Sequence, residues 1–368
     1  MTQNLTIQRL LTDKSALNKS RIDHVSIAPV LSEGEVILKI ERAAITTNNI
    51  TYAAFGDAMQ YWDFFPTGAP DWGHMPVWGF ARVAQSKAAG VETGELFYGY
   101  FPIASHIRMQ AERVSERGFY DGSDHRRTLV SAYNQYTRCS DDPAYRAGNE
   151  NYQMLVRPLF ITSFMCADFL QDNGFFGAQQ IVVASASSKT AYGTAYCLHG
   201  QSEVKLIALT SERNRAFVSS LGCYDDVKSY EEAAQIDANV PTLYLDFSGD
   251  DALRATIHHH VGAALVYDCY AGSAQNTQFL KKAALPGPEP KLYFAPVQIK
   301  KRNIDWGHDE VNRRYNAAQQ AFIERISRVD SEWMKVVEHA GFDAAAELIE
   351  RMHGGRIDPR EGHVVVLA

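Results

Sequence analysis

The residues best suited to chemistry follow a short apolar run, Ile181-Val182-Val183-Ala184. They are Ser185, Ala186, Ser187, Ser188, Lys189, Thr190 and Ala191, and a helical pattern, Thr190–Leu198, begins among them. Free backbone N–H groups at a helix N-terminus attract phosphate, and small side chains let a diphosphate come close. Lys189 adds positive charge. The glycines of a Gly-x-Gly-x-x-Gly loop are absent, and the first glycine is Gly193. A P-loop is excluded because Val183 and Ser188 stand where its glycines belong. A serine-rich helix cap without a ligand fits the same residues. A second candidate follows Val204–Leu209: Thr210, Ser211, Glu212, Arg213, Asn214 and Arg215. Small hydroxyls with Arg213 or Arg215 suit the 2′-phosphate of NADP, whereas Glu212 suits the ribose of NAD unless it points to solvent. Asp246 and Ser248, after Thr242–Phe247, complete the set that could line a cofactor cleft.

These loops need strands to hold them. Apolar runs at Ile181–Ala184, Val204–Leu209, Thr242–Phe247, Ala264–Asp268 and Leu292–Ala295 alternate with helical stretches at Thr190–Leu198, Arg213–Leu221 and Ala252–His260. Such alternation predicts a parallel sheet covered on both faces, doubly wound by right-handed crossovers. Leu159–Gln171 predicts a helix before it. Residues 1–150 read as β-rich. Glu35–Glu41 is a strand after a turn at Ser32-Glu33-Gly34, and Met75–Val83 mixes strand formers with Gly and Pro, as strands that bend in a small barrel do. Aromatic residues crowd Tyr52–Phe101; core packing accounts for most, and a few can line a pocket. Ala344–Met352 predicts a helix, and His363–Leu367 a last strand able to join either sheet.

The 368 residues predict two domains. With 46% hydrophobic and 21% charged residues the composition is that of a globular chain large enough to fold without disulfides or a structural metal. A net charge of −7 argues against nucleic acid as a partner. No run approaches the ~20 apolar residues of a membrane span, and Met1–Leu5 lacks the start of a secretory signal. Five dispersed cysteines predict reduced thiols in the cytoplasm. Adjacent residues on a helix diverge, so His258, His259 and His260 read as a solvated helix end rather than a metal site.

The order of these segments resembles the zinc-independent branch of the medium-chain dehydrogenase/reductase superfamily, the quinone oxidoreductases and enoyl reductases. The resemblance rests on Ala44–Tyr52 ending at Gly56, Pro76–Val83, Gly90–Gly99, Ala104–Val114, Asp246–Gly249, and Gly354–Arg356 with Val364–Leu367. It implies an α/β fold: a GroES-like β-barrel domain (1–150 and 330–368) interrupted by a doubly wound parallel-sheet Rossmann domain (151–329). It implies NADPH as cofactor and hydride transfer to an electron-poor carbon of a quinone or an α,β-unsaturated carbonyl substrate. It places Tyr52 and Asn48 beside the nicotinamide as donors to the developing oxyanion, with Tyr52 also able to serve as proton donor. Thr162 and Ser163 fall where the family's bridging helix begins. The zinc branch's Gly-His-Glu is missing, since Met75 follows Gly73-His74. A homodimer through the Rossmann sheet edge is implied, with a small molecule as the other partner.

Two rival readings share the fold. One is an enoyl-thioester reductase, with Arg126, Arg127 and Arg138 holding a coenzyme A phosphate. The other is a non-catalytic NADP-binding scaffold. Residues 118–150, longer and more polar than the family suggests, read as an insertion serving as a lid or substrate loop. Asp168 and His106 are titratable without an evident partner.

Overall fold

Runs of buried aliphatic residues, rather than strict alternation, mark the strands that build the barrel. Val36, Ile37, Leu38 and Ile40 are all fully buried in one strand. The computed structural model describes residues 4–201, 203–272, 284–330 and 333–367. The chain divides into two units, residues 1–155 with 335–368, and residues 156–334.

The first unit opens with β1 (Leu5–Asp13) antiparallel to β2 (Ala16–Ile27). It continues with β3 (Glu35–Ile45), α1 (Thr47–Ala54), β4 (Trp72–Gly73), β5 (Pro76–Ser86), β6 (Leu96–Pro102), β7 (His106–Ser115), β8 (Gly118–Asp121) and β9 (Gln135–Arg138). Strands β3, β5, β6, β9, β8 and β7 pair in that order, and β7 pairs back onto β3, which closes a six-stranded barrel. The β3–β5 register shifts twice, between Ile37 and Leu38 and between Ile40 and Arg42. Such bulges bend strands and suit closure. Gly99 lies against the Tyr136 ring, where any Cβ would collide. Residues 118–150 are therefore not simply an inserted loop. They supply β8 and β9, without which the ring stays open.

The second unit holds most of α2 (Glu150–Asp172), followed by β10 (Gln180–Ala184), α3 (Lys189–Leu198), β11 (Lys205–Thr210), α4 (Arg215–Ser220), β12 (Asp226–Ser229), β13 (Thr242–Asp246), α5 (Asp251–Val261), β14 (Leu265–Tyr270), β15 (Lys291–Leu292), α6 (Ala295–Asp305) and α7 (His308–Ile326). The sheet order is β12-β11-β10-β13-β14-β15, with every pair parallel. Strand order reverses between β10 and β13, the switch point at which open α/β sheets bind ligands beyond their carboxyl ends. The expected strand at Leu292–Ala295 is only two residues long, because Ala295 and Pro296 start α6. At 23 residues α2 has the length and mean apolarity of a membrane span. Arg157 and Asp168 hide this from a search for an unbroken run. In the second unit its Phe160 stacks on Phe322 of α7, with ring centres 4.5 Å apart.

The chain returns to the first unit through β16 (Lys335–Ala340), α8 (Gly341–His353) and β17 (Glu361–Val366). Strand β17 runs antiparallel to β3 and parallel to β16. The final strand therefore joins the barrel sheet.

Candidate functional site

In the second unit the loop between β10 and α3 sits at the switch point. Ser185 takes a φ of +56°, a left-handed conformation that usually requires glycine. The carbonyl of Ser185 accepts the Ser188 N–H at 2.8 Å, and the Tyr230 hydroxyl hydrogen-bonds Ser185. Ala186 is fully buried, its N–H donating to the Leu209 carbonyl and its own carbonyl accepting from the Tyr224 hydroxyl at 3.1 Å. The Asn214 side chain donates to Ser187 Oγ at 3.2 Å. Ser188 caps α3, accepting the Ala191 N–H. Lys189 opens the helix, half-buried, and the Thr190 carbonyl accepts from Ser163 Oγ at 2.8 Å. The helix packs closely here, since a Cβ on Gly193 would lie 2.7 Å from Ser163 Oγ. Side chains thus do what glycines would do in a glycine-rich loop. They fix the turn that leads into α3.

At the end of β11, Thr210 is fully buried and its Oγ1 has no hydrogen-bond partner among the described residues. Ser211 is half-buried and Arg213 exposed. Arg215, expected to face a 2′-phosphate, is instead tied to Glu212 at 2.9 Å and to Glu232. Two carboxylates neutralise its charge. Asp246 and Ser248 do not line a cleft as exposed side chains. Both are buried, and Asp246 Oδ1 accepts from the Ser248 N–H, the Ser248 hydroxyl at 2.6 Å and the Gly249 N–H. Asp246 Oδ2 pairs with Arg254, which also reaches Asp268 at 3.1 Å. Burial pushes the Asp246 carboxyl up, against the pull of Arg254 and Ser248. Its role is to shape the turn after β13.

His258 is no solvated end. It is fully buried, with Nε2 2.8 Å from Asp268 and Nδ1 2.7 Å from the Pro286 carbonyl. Asp168 has partners, Arg302 at 2.7 Å and Gln298 at 2.5 Å, and His106 lies 3.2 Å from Ser105 Oγ.

In the first unit Tyr52 lies in α1, whose start is fixed by Asn49. The Asn49 side chain accepts the Thr46 N–H at 2.6 Å and donates to the Pro76 carbonyl at 2.7 Å. Asn49 therefore serves structure, while its half-buried neighbour Asn48, one helical turn before Tyr52, hydrogen-bonds the Tyr52 phenol. Trp78 Nε1 donates to the same oxygen at 3.4 Å, and Tyr133 hydrogen-bonds it too. Burial pushes the Tyr52 phenol up to about 12, with these three contacts opposing. The surrounding rings are Tyr61, Phe64, Phe65, Tyr100 and Tyr133. Of these, Tyr133 lies outside the aromatic-rich stretch and carries no signal in the sequence.

The arginines expected to hold a coenzyme A phosphate are committed elsewhere. Arg126 is fully buried, donating to Asp121 at 2.8 Å, to the Tyr136 hydroxyl at 2.9 Å and to the Phe64 carbonyl at 3.2 Å. Arg127 pairs with Asp124 and Glu112, each at 3.0 Å, and Arg138 with Glu95 at 3.1 Å.

No curated protein sequence matches the chain significantly. Among solved structures it is similar to CurA from Vibrio vulnificus in complex with NADPH, at 14% identity and a TM-score of 0.59, over 98% of this chain and 99% of that one. It is also similar to a mutant form of enoyl thioester reductase from Candida tropicalis (12%, TM-score 0.55, 98% and 100% covered). A third is the quinone oxidoreductase from Coxiella burnetii (13%, TM-score 0.51, 99% and 100% covered). At such identities the likeness is one of fold, a closed β-barrel unit and a parallel-sheet α/β unit. Residues 43–358 match the family described as "Protein of unknown function (DUF2855)", and the chain belongs to that family.

Proposed function

We propose that the chain is an NADPH-dependent oxidoreductase that delivers hydride to an electron-poor carbon of a quinone or an α,β-unsaturated carbonyl compound. The observation that carries this reading is the β10–α3 cradle, with its left-handed Ser185, small side chains and capped helix start at the sheet's switch point. It fits a diphosphate, and the unpartnered Thr210 Oγ1 beside it offers a further polar contact. Ser185–Thr190 would hold the diphosphate, with Ser211 and Arg213 for the 2′-phosphate. That CurA, of like fold, is known with NADPH supports the same cofactor here. The nicotinamide supplies the hydride. Tyr52 then supplies the proton, and Asn48 orients its phenol.

The zinc-independent form of the chemistry is supported by the donor set. His74 is buried and followed by Met75, and among the described residues no group of three His, Cys, Asp or Glu side chains converges. We place the protein in the cytoplasm as a homodimer. Leu292, Phe294, Val297 and Ile304 are exposed in or near β15, the last strand of the sheet among the described residues, where a second copy would cover them. Sedimentation at increasing concentration tests the dimer, and a Leu292→Lys, Val297→Lys variant should remain monomeric.

Calorimetry with NADPH and NADH, followed by NADPH oxidation assays on quinones, short enones and enoyl thioesters, tests the function. Tight NADPH binding with oxidation by quinones or enones is expected. Preference for enoyl thioesters would redirect the substrate, and binding without oxidation would leave a scaffold. Failure to bind NADPH would end the oxidoreductase reading.

A further inference from the structure

We propose that Tyr61 and Tyr133 form a hydroxyl relay that returns a proton to Tyr52 after it has protonated the reduced substrate; this rests on the proton-donor role proposed above for Tyr52. The Tyr61 and Tyr133 hydroxyls lie 3.4 Å apart, and Tyr133 hydrogen-bonds Tyr52. The three rings also touch. Centres are 4.7 Å apart for Tyr52–Tyr61, 5.7 Å for Tyr61–Tyr133 and 6.2 Å for Tyr52–Tyr133. Catalytic hydrogen bonds are often long in an unliganded site and tighten with substrate in place.

Packing alone does not call for these phenols. Phe64 and Phe65 share the cluster, so bare rings fill its space. A buried hydroxyl costs free energy unless it is bonded. Yet Tyr100, whose ring centre is 4.7 Å from that of Tyr133, keeps a buried Oη with no partner among the described residues. That unmet group marks a cluster built for a polar ligand atom. The relay also has a direction. Tyr52 is buried, Tyr133 and Tyr61 are half-buried, and Tyr61 lies less deeply than Tyr133.

The proton count closes as follows. The substrate carbon would gain a hydride, which carries the two electrons given up by the reduced nicotinamide. The resulting oxyanion, or the carbon next to it, takes the Tyr52 Oη proton. The Tyr133 proton moves to Tyr52, the Tyr61 proton to Tyr133, and a proton from water to Tyr61. Three neutral phenols remain and bulk solvent has lost one proton. Burial holds all three phenols above the ordinary tyrosine range, so no isolated phenolate is favourable and the transfers move together. Tyr61 and Tyr133 are positioning residues, acting through Tyr52.

The test uses the full chain with 3,5-difluorotyrosine at position 52, whose phenol ionises far more readily than tyrosine, titrated by fluorine NMR without cofactor. Tyr133→Phe removes a donor to Tyr52 and should lower the ionisation constant of that phenol about fivefold. Tyr61→Phe, one link further out, should lower it by less than about twofold. A second measurement takes NADPH oxidation rates in mixtures of light and heavy water. The unmodified protein should give a curved dependence on deuterium content, and Tyr133→Phe a straight one. An ionisation constant that stays put in folded Tyr133→Phe protein overturns the relay, whether or not NADPH is oxidised. So does curvature that survives the substitution. If the constant moves but no NADPH is oxidised, the hydrogen-bonded chain stands and the oxidoreductase reading falls.

Discussion

Around Tyr52 the polar atoms are side-chain hydroxyls set among aromatic rings. Around Ser185 they are main-chain amides bared by small side chains and a helix start. Each arrangement is braced by a buried arginine. Arg126 joins β8 to the Phe64 carbonyl and the Tyr136 hydroxyl, whereas Arg254 joins the ends of β13 and β14 through Asp246 and Asp268. The difference lies in what a single substitution can remove. A hydroxyl disappears with one oxygen atom, but an amide stays unless the backbone that aims it moves. The first unit should therefore lose chemistry while keeping structure, and the second should lose both together.

The arginine braces give the largest effect. Arg254→Ala removes the arginine partner of two buried carboxylates and should cost about 5 kcal/mol, while Arg126→Ala removes that of one and should cost about 3 kcal/mol. Denaturant unfolding of each variant measures this, and equal losses would show that the braces do not differ as drawn. Next, Tyr52→Phe should lower NADPH oxidation by about 10²–10⁴-fold and leave the NADPH Kd unchanged. A changed Kd would mean that Tyr52 holds cofactor rather than substrate.

A pH effect confined to the first unit comes third. Burial drives the His74 imidazole down to about 3 from its usual 6.5, and its Nδ1 has no partner among the described residues. The folded state therefore keeps His74 neutral where the unfolded chain takes up a proton. Stability from this group is complete above pH 6.5 and is lost as pH falls toward 3, at up to about 1.4 kcal/mol per pH unit. His74→Gln should flatten the slope of Tm between those limits relative to the unmodified chain. The smallest effect is at the cap. Ser188→Ala should cost about 1 kcal/mol and weaken NADPH binding along with it. Weaker binding at unchanged stability would separate cap from cradle and break the contrast.

The Rossmann strands were legible because they are buried on both faces, so Ile181–Ala184 and Thr242–Asp246 read as unbroken apolar runs. The barrel's closing strands were not. Residues 118–150 look like a polar loop because Asp121, Arg126 and Arg138 stand out as charges, and only the fold shows each meeting its counterpart. The same holds for His258, whose partner Asp268 lies on the next strand. Helices α6 and α7 went unread for a related reason. Their charged faces dominate the composition, and the buried stripe of Val311, Tyr315, Phe322 and Ile326 is narrow. Around Tyr52, the α1 residues could be picked out by resemblance alone, whereas Tyr133 comes from a segment without a recognisable pattern.

Because β16, α8 and β17 leave the ribosome only after the whole of residues 156–334, the two units cannot mature in chain order. The six-stranded ring has all its strands by Arg138, but Arg42–Ile45 of β3, beyond the stretch that pairs with β7, waits for β17. During synthesis the nascent barrel carries a naked strand edge while the Rossmann unit is translated. Chaperone dependence and aggregation should therefore concentrate in that interval, and a translational pause before residue 335 would prolong it.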